Sequence, residues 1–389
     1  MPLTRARTAA DWRERLDRFG ARAMTTVGDW IAPGSRAAAS EPRISALVAL
    51  VAVVGGVLPI LIMAVTWASK PDPVAQETSC ARSGYVLAGE PDKDRYRPEN
   101  QCNAAGGENV VERTGTGRYL VTFAGLGEEG GVAEVTPVTG DDRICTLPDW
   151  HPDGDDELVR VDCFDRFGQA ADSGFAARFW HPRGGDGTAA YLRLGDPGRT
   201  SQTIDDAYSY NSAGGTNSAD REDVGSYVVY FGQQTSGGGT VKVTAAGDAA
   251  TVCGVERWSA DEAGRQLVVR VRCRDAAGQA VDSRFAVTFA VRAGAAAYLL
   301  AEHPAEPEYT PAGGSQFNGA GRANSVTRSG PGEYRVAFPG LPAGRGVVQV
   351  TSYATAATCV ISAEDHERVV CRDPSGAPAD AQFAAILWQ

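Results

Sequence analysis

The sequence predicts an all-β architecture: three tandem, disulfide-stapled β-sandwich repeats, immunoglobulin-like or jelly-roll-like, after a single transmembrane helix. Three observations predict it. One phrase recurs, as CFDRFGQAADSGF from Cys163, CRDAAGQAVDSRF from Cys273 and CRDPSGAPADAQF from Cys371. Apolar residues alternate with polar ones in short runs such as YLVTF at Tyr119, VKVT at Val241 and LVVRVRC at Leu267. An uncharged apolar run over residues 44–68 precedes all eight cysteines.

Taken from the N-terminus, residues 1–43 read as a cytoplasmic segment. DWRERLDRFGARAMTTVGDWI puts Trp12, Leu16 and Phe19 on one face at helical spacing with arginines between them, which fits an amphipathic helix on the inner leaflet or against a cytoplasmic partner. Residues 44–68, ISALVALVAVVGGVLPILIMAVTWA, are long enough for a membrane span, which needs about 20 helical residues. Arg43 and Lys70 flank the run, Trp67 suits the interface, and Pro59 is tolerable within a span. A cleaved signal peptide has a short charged leader and an apolar stretch of about 7 to 15 residues, so an uncleaved signal-anchor fits better. The first 43 residues carry eight Arg against five Asp or Glu, a net of +3 that keeps this end inside. Subtracting +3 from the whole-chain net of -11 leaves -14 beyond residue 43, an acidic exported part unsuited to nucleic acid.

After a stalk over 69–83, the repeats are expected at 84–186, 187–293 and 294–389. Asn103, Asn109, Arg113, Tyr119, Phe123 and Thr136 recur at unchanged intervals as Asn211, Asn217, Arg221, Tyr227, Phe231 and Thr244, and as Asn318, Asn324, Arg328, Tyr334, Phe338 and Thr351. Alternation of period two predicts strands with one buried face, about seven per unit. The recurring phrase reads as a hairpin: Cys273 ends a strand, Asp275 to Gly278 makes a type I turn, and Phe285 and Phe289 belong to the next strand. A six-bladed propeller is the alternative architecture. The short joins between units predict separate sandwiches in an elongated row.

Cysteine supplies the staples. Cys145 with Cys163, Cys253 with Cys273 and Cys359 with Cys371 each bracket one hairpin, so antiparallel pairing sets the sulfurs side by side. Cys80 and Cys102 occur only in the first unit and are expected to fasten the stalk to it. All eight lie beyond the apolar run, as an oxidising compartment requires, and no CxxC spacing suggests zinc.

Chemistry is harder to find. His151, His181, His303 and His366 do not recur at matching places and read as loop residues; no GxSxG, HExxH or phosphate loop is present, so no enzyme, cofactor or metal is expected. A calcium site from Asp275 and Asp282 would fall short of the six to eight oxygens that calcium takes. The candidate ligand-binding set is Asn103, Asn109, Arg113 and Tyr119 with its two copies, groups able to hydrogen-bond and stack on carbohydrate. The competing reading gives the asparagines to left-handed turns near Gly106 and pairs Arg113 with Asp172.

NVVERTGTGRYLVTFAGL from Asn109, with the VxVT strand, the cysteine hairpin and the DxxGxxxDS turn, resembles a tandem module of about a hundred residues found in exported bacterial proteins. The likeness covers residues 84 to 389. The VxRxGxGxYxVxF core is also similar to β-sandwich modules at phage tail-fibre tips, which implies surface attachment. The third unit departs from the pattern, lacking the Trp of Trp150 and Trp258 and carrying Arg322 in place of Gly107 and Gly215. The expectation is a cell-membrane, single-pass binding or adhesion protein presenting its repeats outside to a cell-envelope or extracellular polymer. A structural spacer, or a signal transducer with a cytoplasmic partner, is the alternative.

Overall fold

The computed structural model describes residues 80, 82–183, 187–235, 238–342 and 344–389. The span expected at 44–68, the amphipathic segment of Trp12, Leu16 and Phe19, and most of the 69–83 stalk lie outside the described residues. Among the described residues no helix is long and apolar enough to cross a membrane. Their regular structure is almost entirely β: 28 strands and one 3-10 turn, Gly313–Ser315. Period two governs burial, as in Gln266–Asp275, where Leu267, Val269, Val271 and Cys273 point inward.

Strands Gln101–Asn103, Ser83–Ala88, Gly174–Trp180 and Val132–Val138 lie side by side in that order. Ser209–Asn211, Thr188–Leu194, Arg284–Val291 and Thr240–Ala246 keep the same order, as do Gln316–Asn318, Ala295–Ala301, Gln382–Trp388 and Val347–Tyr353. Facing each of these is a second set. It runs Arg95–Tyr96, Asn109–Gly115, Arg118–Phe123, Asp156–Asp165, Arg143–Thr146 in the first stretch of chain, with Trp150–Asp153 also on Asp156–Asp165. In the second it runs Ser201–Ile204, Asn217–Asp223, Ser226–Gly232, Gln266–Asp275, Thr251–Ala260, and in the third Glu308–Tyr309, Ser325–Gly330, Glu333–Ala337, Arg368–Arg372, Thr358–Ile361. These stretches, 83–180, 188–291 and 295–388, are called the first, second and third segments below. Within each, an equivalent aromatic pair joins the two sets: Tyr119 on Phe175, Tyr227 on Phe285 and Tyr334 on Phe383, with ring centroids 5.1, 5.2 and 5.2 Å apart.

The segments hold ten, nine and nine strands instead of the expected seven, because strands of two to four residues such as Arg95–Tyr96 are too short to show alternation. Nor are they arranged in an elongated row or as propeller blades. Ile361 pairs in parallel with Val138 and Tyr353 with Val255, which fuses strand sets of different segments into two nine-stranded sheets. Leu147 N donates to Ala245 O at 3.0 Å, joining the first segment to the second. Each segment therefore touches both others. The expectation failed at Val132–Val138, Thr240–Ala246 and Val347–Tyr353, whose polar residues Glu134, Lys242 and Gln349 suggest a solvated face. That face is buried among the segments, with all three side chains at most 3% exposed.

Lys242 shows how. Its Nζ donates to Val135 O at 3.1 Å, Thr136 Oγ1 at 3.0 Å and Val350 O at 2.9 Å, so one second-segment ammonium spends its three donors on the first and third segments. Gln349 Nε2 reaches Glu134 O and Ala176 O, and its Oε1 accepts from Trp388 Nε1.

One core position breaks the apolar pattern. Glu157 is fully buried opposite Phe123, where the second segment has Leu267 opposite Phe231, and neither carboxyl oxygen has a partner. Burial pushes its pKa up to about 9, so the folded protein holds it protonated at neutral pH while the unfolded chain ionises it. Stability from this group is complete below the unfolded value near 4.5 and falls as pH rises toward 9. Glu157→Leu is expected to raise stability at pH 4 by removing an unpartnered buried carboxyl and to raise it further at pH 8, flattening the decline. Urea unfolding at the two pH values measures this; equal effects at both would mean that the carboxyl is ionised in the fold.

Candidate functional site

The recurring Asn, Arg and Tyr residues come together in each segment, but they face one another. Asn109 is fully buried: its Nδ2 donates to Cys102 O at 2.8 Å and Tyr85 O at 3.2 Å, and its Oδ1 accepts from Asn103 Nδ2. Asn103 also donates to Ala124 O and accepts from Ala105 N, closing the turn in which Gly106 takes φ 75°. Asn211 with Asn217, and Asn318 with Asn324, repeat the pattern. The asparagines thus tie the turn to the neighbouring strands, adding a second donor to carbonyls of the paired residues Tyr85 and Cys102.

Arg113, Tyr119 and Asp172 form a second recurring unit. Arg113 holds Asp172 through Nε at 3.1 Å and Nη2 at 2.8 Å; Gly117 N donates to the same carboxylate, and the Tyr119 hydroxyl lies 3.2 Å from it while accepting from Ser173 N. Arg221, Tyr227 and Asp282 match, as do Arg328, Tyr334 and Asp380. The guanidinium of Arg221 holds Asp282 below the usual carboxylate range, and Arg328 does the same for Asp380. These twelve residues bond chiefly to one another, to a carboxylate of the same segment and to nearby backbone. The pairing of Arg113 with Asp172, the competing reading, is what the chain uses.

The recurring phrase forms the expected turn but not a hairpin of paired strands: Gln266–Asp275 pairs with Ser226–Gly232 and Thr251–Ala260, one isolated bridge joins Arg274 to Ala280, and the next strand, Arg284–Val291, crosses to the other strand set. Cys145–Cys163, Cys253–Cys273 and Cys359–Cys371 are disulfides between directly opposed residues, and Cys80–Cys102 is the fourth. Gly278 N donates to Asp275 O at 3.0 Å, closing the turn, and Asp275 Oδ1 accepts from Gln279 N. A calcium site from Asp275 and Asp282 fails on this geometry, since the first carboxylate caps its own turn and the second is held by Arg221. Among the described residues no group of three or more His, Cys, Asp or Glu is placed to hold a metal. Of the histidines, His151 lies in strand Trp150–Asp153, not in a loop, beside Asp149 at 2.8 Å; His181 is near Glu128 and His303 stacks on Tyr309.

Spacing gave no sign that the three turns gather at one place. A Cβ on Gly168 would stand 3.8 Å from Ala276, one on Gly278 2.8 Å from Pro374, and one on Gly376 2.9 Å from Arg166. Arg166 Nη1 donates to Ser375 O at 2.6 Å and its guanidinium lies 4.3 Å from the Phe167 ring. Phe167 itself is 69% exposed, a large aromatic ring held out at the meeting point of three turns. Comparing the segments residue by residue would have singled it out, because the second and third have Ala277 and Ser375 there. No family model matches the chain, and no curated protein or solved structure is similar to it.

The buried asparagines make a test of their structural role. Asn109→Ala removes three buried hydrogen bonds, its second donors to Tyr85 O and Cys102 O and its acceptor for Asn103 Nδ2, so at about 1 kcal/mol each a loss of about 3 kcal/mol in denaturant unfolding is expected. A loss below about 0.5 kcal/mol, the level of an ordinary surface substitution, would return Asn109 to the ligand-binding candidates.

Proposed function

We propose that the chain is a membrane-anchored, exported binding protein in which three disulfide-stapled β-sandwich repeats pack around a common axis. The end where the turn tips meet is the one presented to a cell-envelope or extracellular polymer. One observation carries the exported placement: all eight cysteines lie beyond the apolar run at 44–68, and all eight are joined in four disulfides. Such bonds persist in oxidising compartments and are rare in the cytosol. The apolar run then anchors the chain, and its +3 leader stays inside.

The binding role is supported by what remains unused once the structural residues are assigned. The recurring Asn, Arg, Tyr and Asp groups bond chiefly within their own segments, which leaves the tips. There Phe167 offers an exposed aromatic face stiffened by Arg166, the kind of surface on which an apolar sugar face or an aromatic group stacks. No catalytic group is assigned, and the chain is read as a binder without cofactor.

Two measurements test this. Protease added to intact cells is expected to remove the disulfide-bonded part and spare residues 1–43; a mature chain beginning near Ala68 or Ala75 would reject the anchor. On glycan and cell-wall arrays the full chain is expected to bind, and Phe167→Ala to lose at least about tenfold in affinity, as removal of an exposed aromatic anchor does, with an unchanged melting temperature. Equal binding by the variant rejects the tip. Failure of the folded parent chain to bind any array or intact cell replaces adhesion with the spacer reading.

A further inference from the structure

One of the junctions between segments is left open, and a buried cation lines it. Arg274, one residue past Cys273, is only 7% exposed. Its Nη2 donates to Ala357 O at 2.8 Å and approaches Thr358 Oγ1 at 3.4 Å; among the described residues no carboxylate pairs with it. Burial pushes Arg274 down to about 10 with no neighbouring acid to offset the shift. A guanidinium in this state is costly unless an anion meets it.

The matching positions show what is missing. Arg372, one residue past Cys371, has its Nε 2.6 Å from Asp142 Oδ1 across the junction between third and first segments. In the first segment the position is Phe164, buried and apolar. Asp142 stands three residues before Cys145, and three residues before Cys359, on the loop opposite Arg274, stands Ala356. The Arg372 junction is nearly filled, with about 40 Å³ of space beside Val360, Val370 and Gly376. Around Arg274 a groove of about 330 Å³ remains, walled by Val224, Val255, Ala280, Ala354 and Ala356.

We propose that this groove binds a monocarboxylate with a compact apolar body, whose carboxylate takes beside Arg274 the place that Asp142 takes beside Arg372. Charge selects a monoanion: among the described residues the only other cation on the wall, Arg272, is already paired with Glu256 at 2.8 Å, and that carboxylate repels a dianion such as phosphate more strongly than a monoanion. The apolar walls suit a hydrocarbon or aromatic body. At the roughly 30 Å³ that a water-sized group occupies, the volume takes about ten non-hydrogen atoms. This site does not rest on the adhesion reading, because an exported spacer with the same groove would bind the same ligand.

Benzoate fits these limits and serves as the probe. Calorimetric titration of the full chain in carboxylate-free buffer is expected to show saturable binding at one site, with inorganic phosphate at matched ionic strength binding more weakly. Arg274→Gln is expected to weaken benzoate about tenfold to a hundredfold, the range of a charge-assisted hydrogen bond. Ala356→Asp, a change at an exposed residue, is expected to do the same by supplying the chain's own carboxylate, without lowering the melting temperature. No saturable benzoate binding, phosphate binding as tight as benzoate, or unchanged affinity in a folded Ala356→Asp chain would each overturn the assignment.

Discussion

The structure depends on how one buried ammonium is satisfied. Lys242 sits on Thr240–Ala246, the end strand of the second segment's four-stranded sheet, and its hydrogen bonds go to Val135 and Thr136 of the first and Val350 of the third. Burial pushes its pKa down to about 8, a measure of how much that environment disfavours charge, and the three acceptors offset the penalty only when all three segments are in place. Assembly of the segments is thus a condition for the core to be satisfied. The residues at the matching positions differ for the same reason. Three lysines or three glutamates there would repel one another at low dielectric, whereas Glu134, Lys242 and Gln349 combine an acid, a base and an amide. Arg178, fully buried, approaches Glu134 at 3.4 Å and stacks on Trp388, so the acid too has a partner.

Around that centre, each segment carries its own fastenings. The asparagine pair ties a turn to its neighbouring strands, the Arg–Asp–Tyr clamp ties the second strand set to the turn that leads into the first, and a disulfide joins two paired strands within the second set. The chain-entropy view gives each such short disulfide loop about 3 kcal/mol, acting on the unfolded state, while the clamps act on the folded one. The two kinds of fastening are complementary. They give the polar residues that recur at fixed spacing in all three segments a shared structural task.

Much of the local architecture was legible in the sequence because it is set by short-range rules. Period-two alternation gave the long strands, the Asp-to-Gly spacing gave the turns, and the cysteine spacing gave four correct pairings. The arrangement of the segments was not legible. Whether the face bearing Glu134, Lys242 and Gln349 meets water or another segment depends on contacts more than a hundred residues apart, and alternation reports only that one face is polar. The ligand-binding set carries a related ambiguity, since unvarying spacing marks shared structural work as readily as a shared site. Asp172, the third member of the clamp, pairs with Arg113 as the sequence suggests, whereas Phe167 and Arg274 lie outside the repeated pattern and carry no signal of spacing.

Difference is the better guide in a chain of this kind. Where the matching positions agree, as at Tyr119, Tyr227 and Tyr334, the side chains do the same internal task in the same geometry. Where they diverge, the common fold imposes no requirement, and the residue is free to serve something outside it. Phe167 stands against Ala277 and Ser375, Arg274 against Phe164 and Arg372, and both lie at surfaces where segments meet. Glu157 against Leu267 diverges as well, but it is enclosed in the core and its carboxyl touches no groove. Divergence therefore points to function only when joined to access: a tip held in solvent in one case, an open groove beside an unpaired cation in the other. A scaffold that closes three similar segments on one another supplies such places by construction, because its junctions occur in threes and need not all be filled.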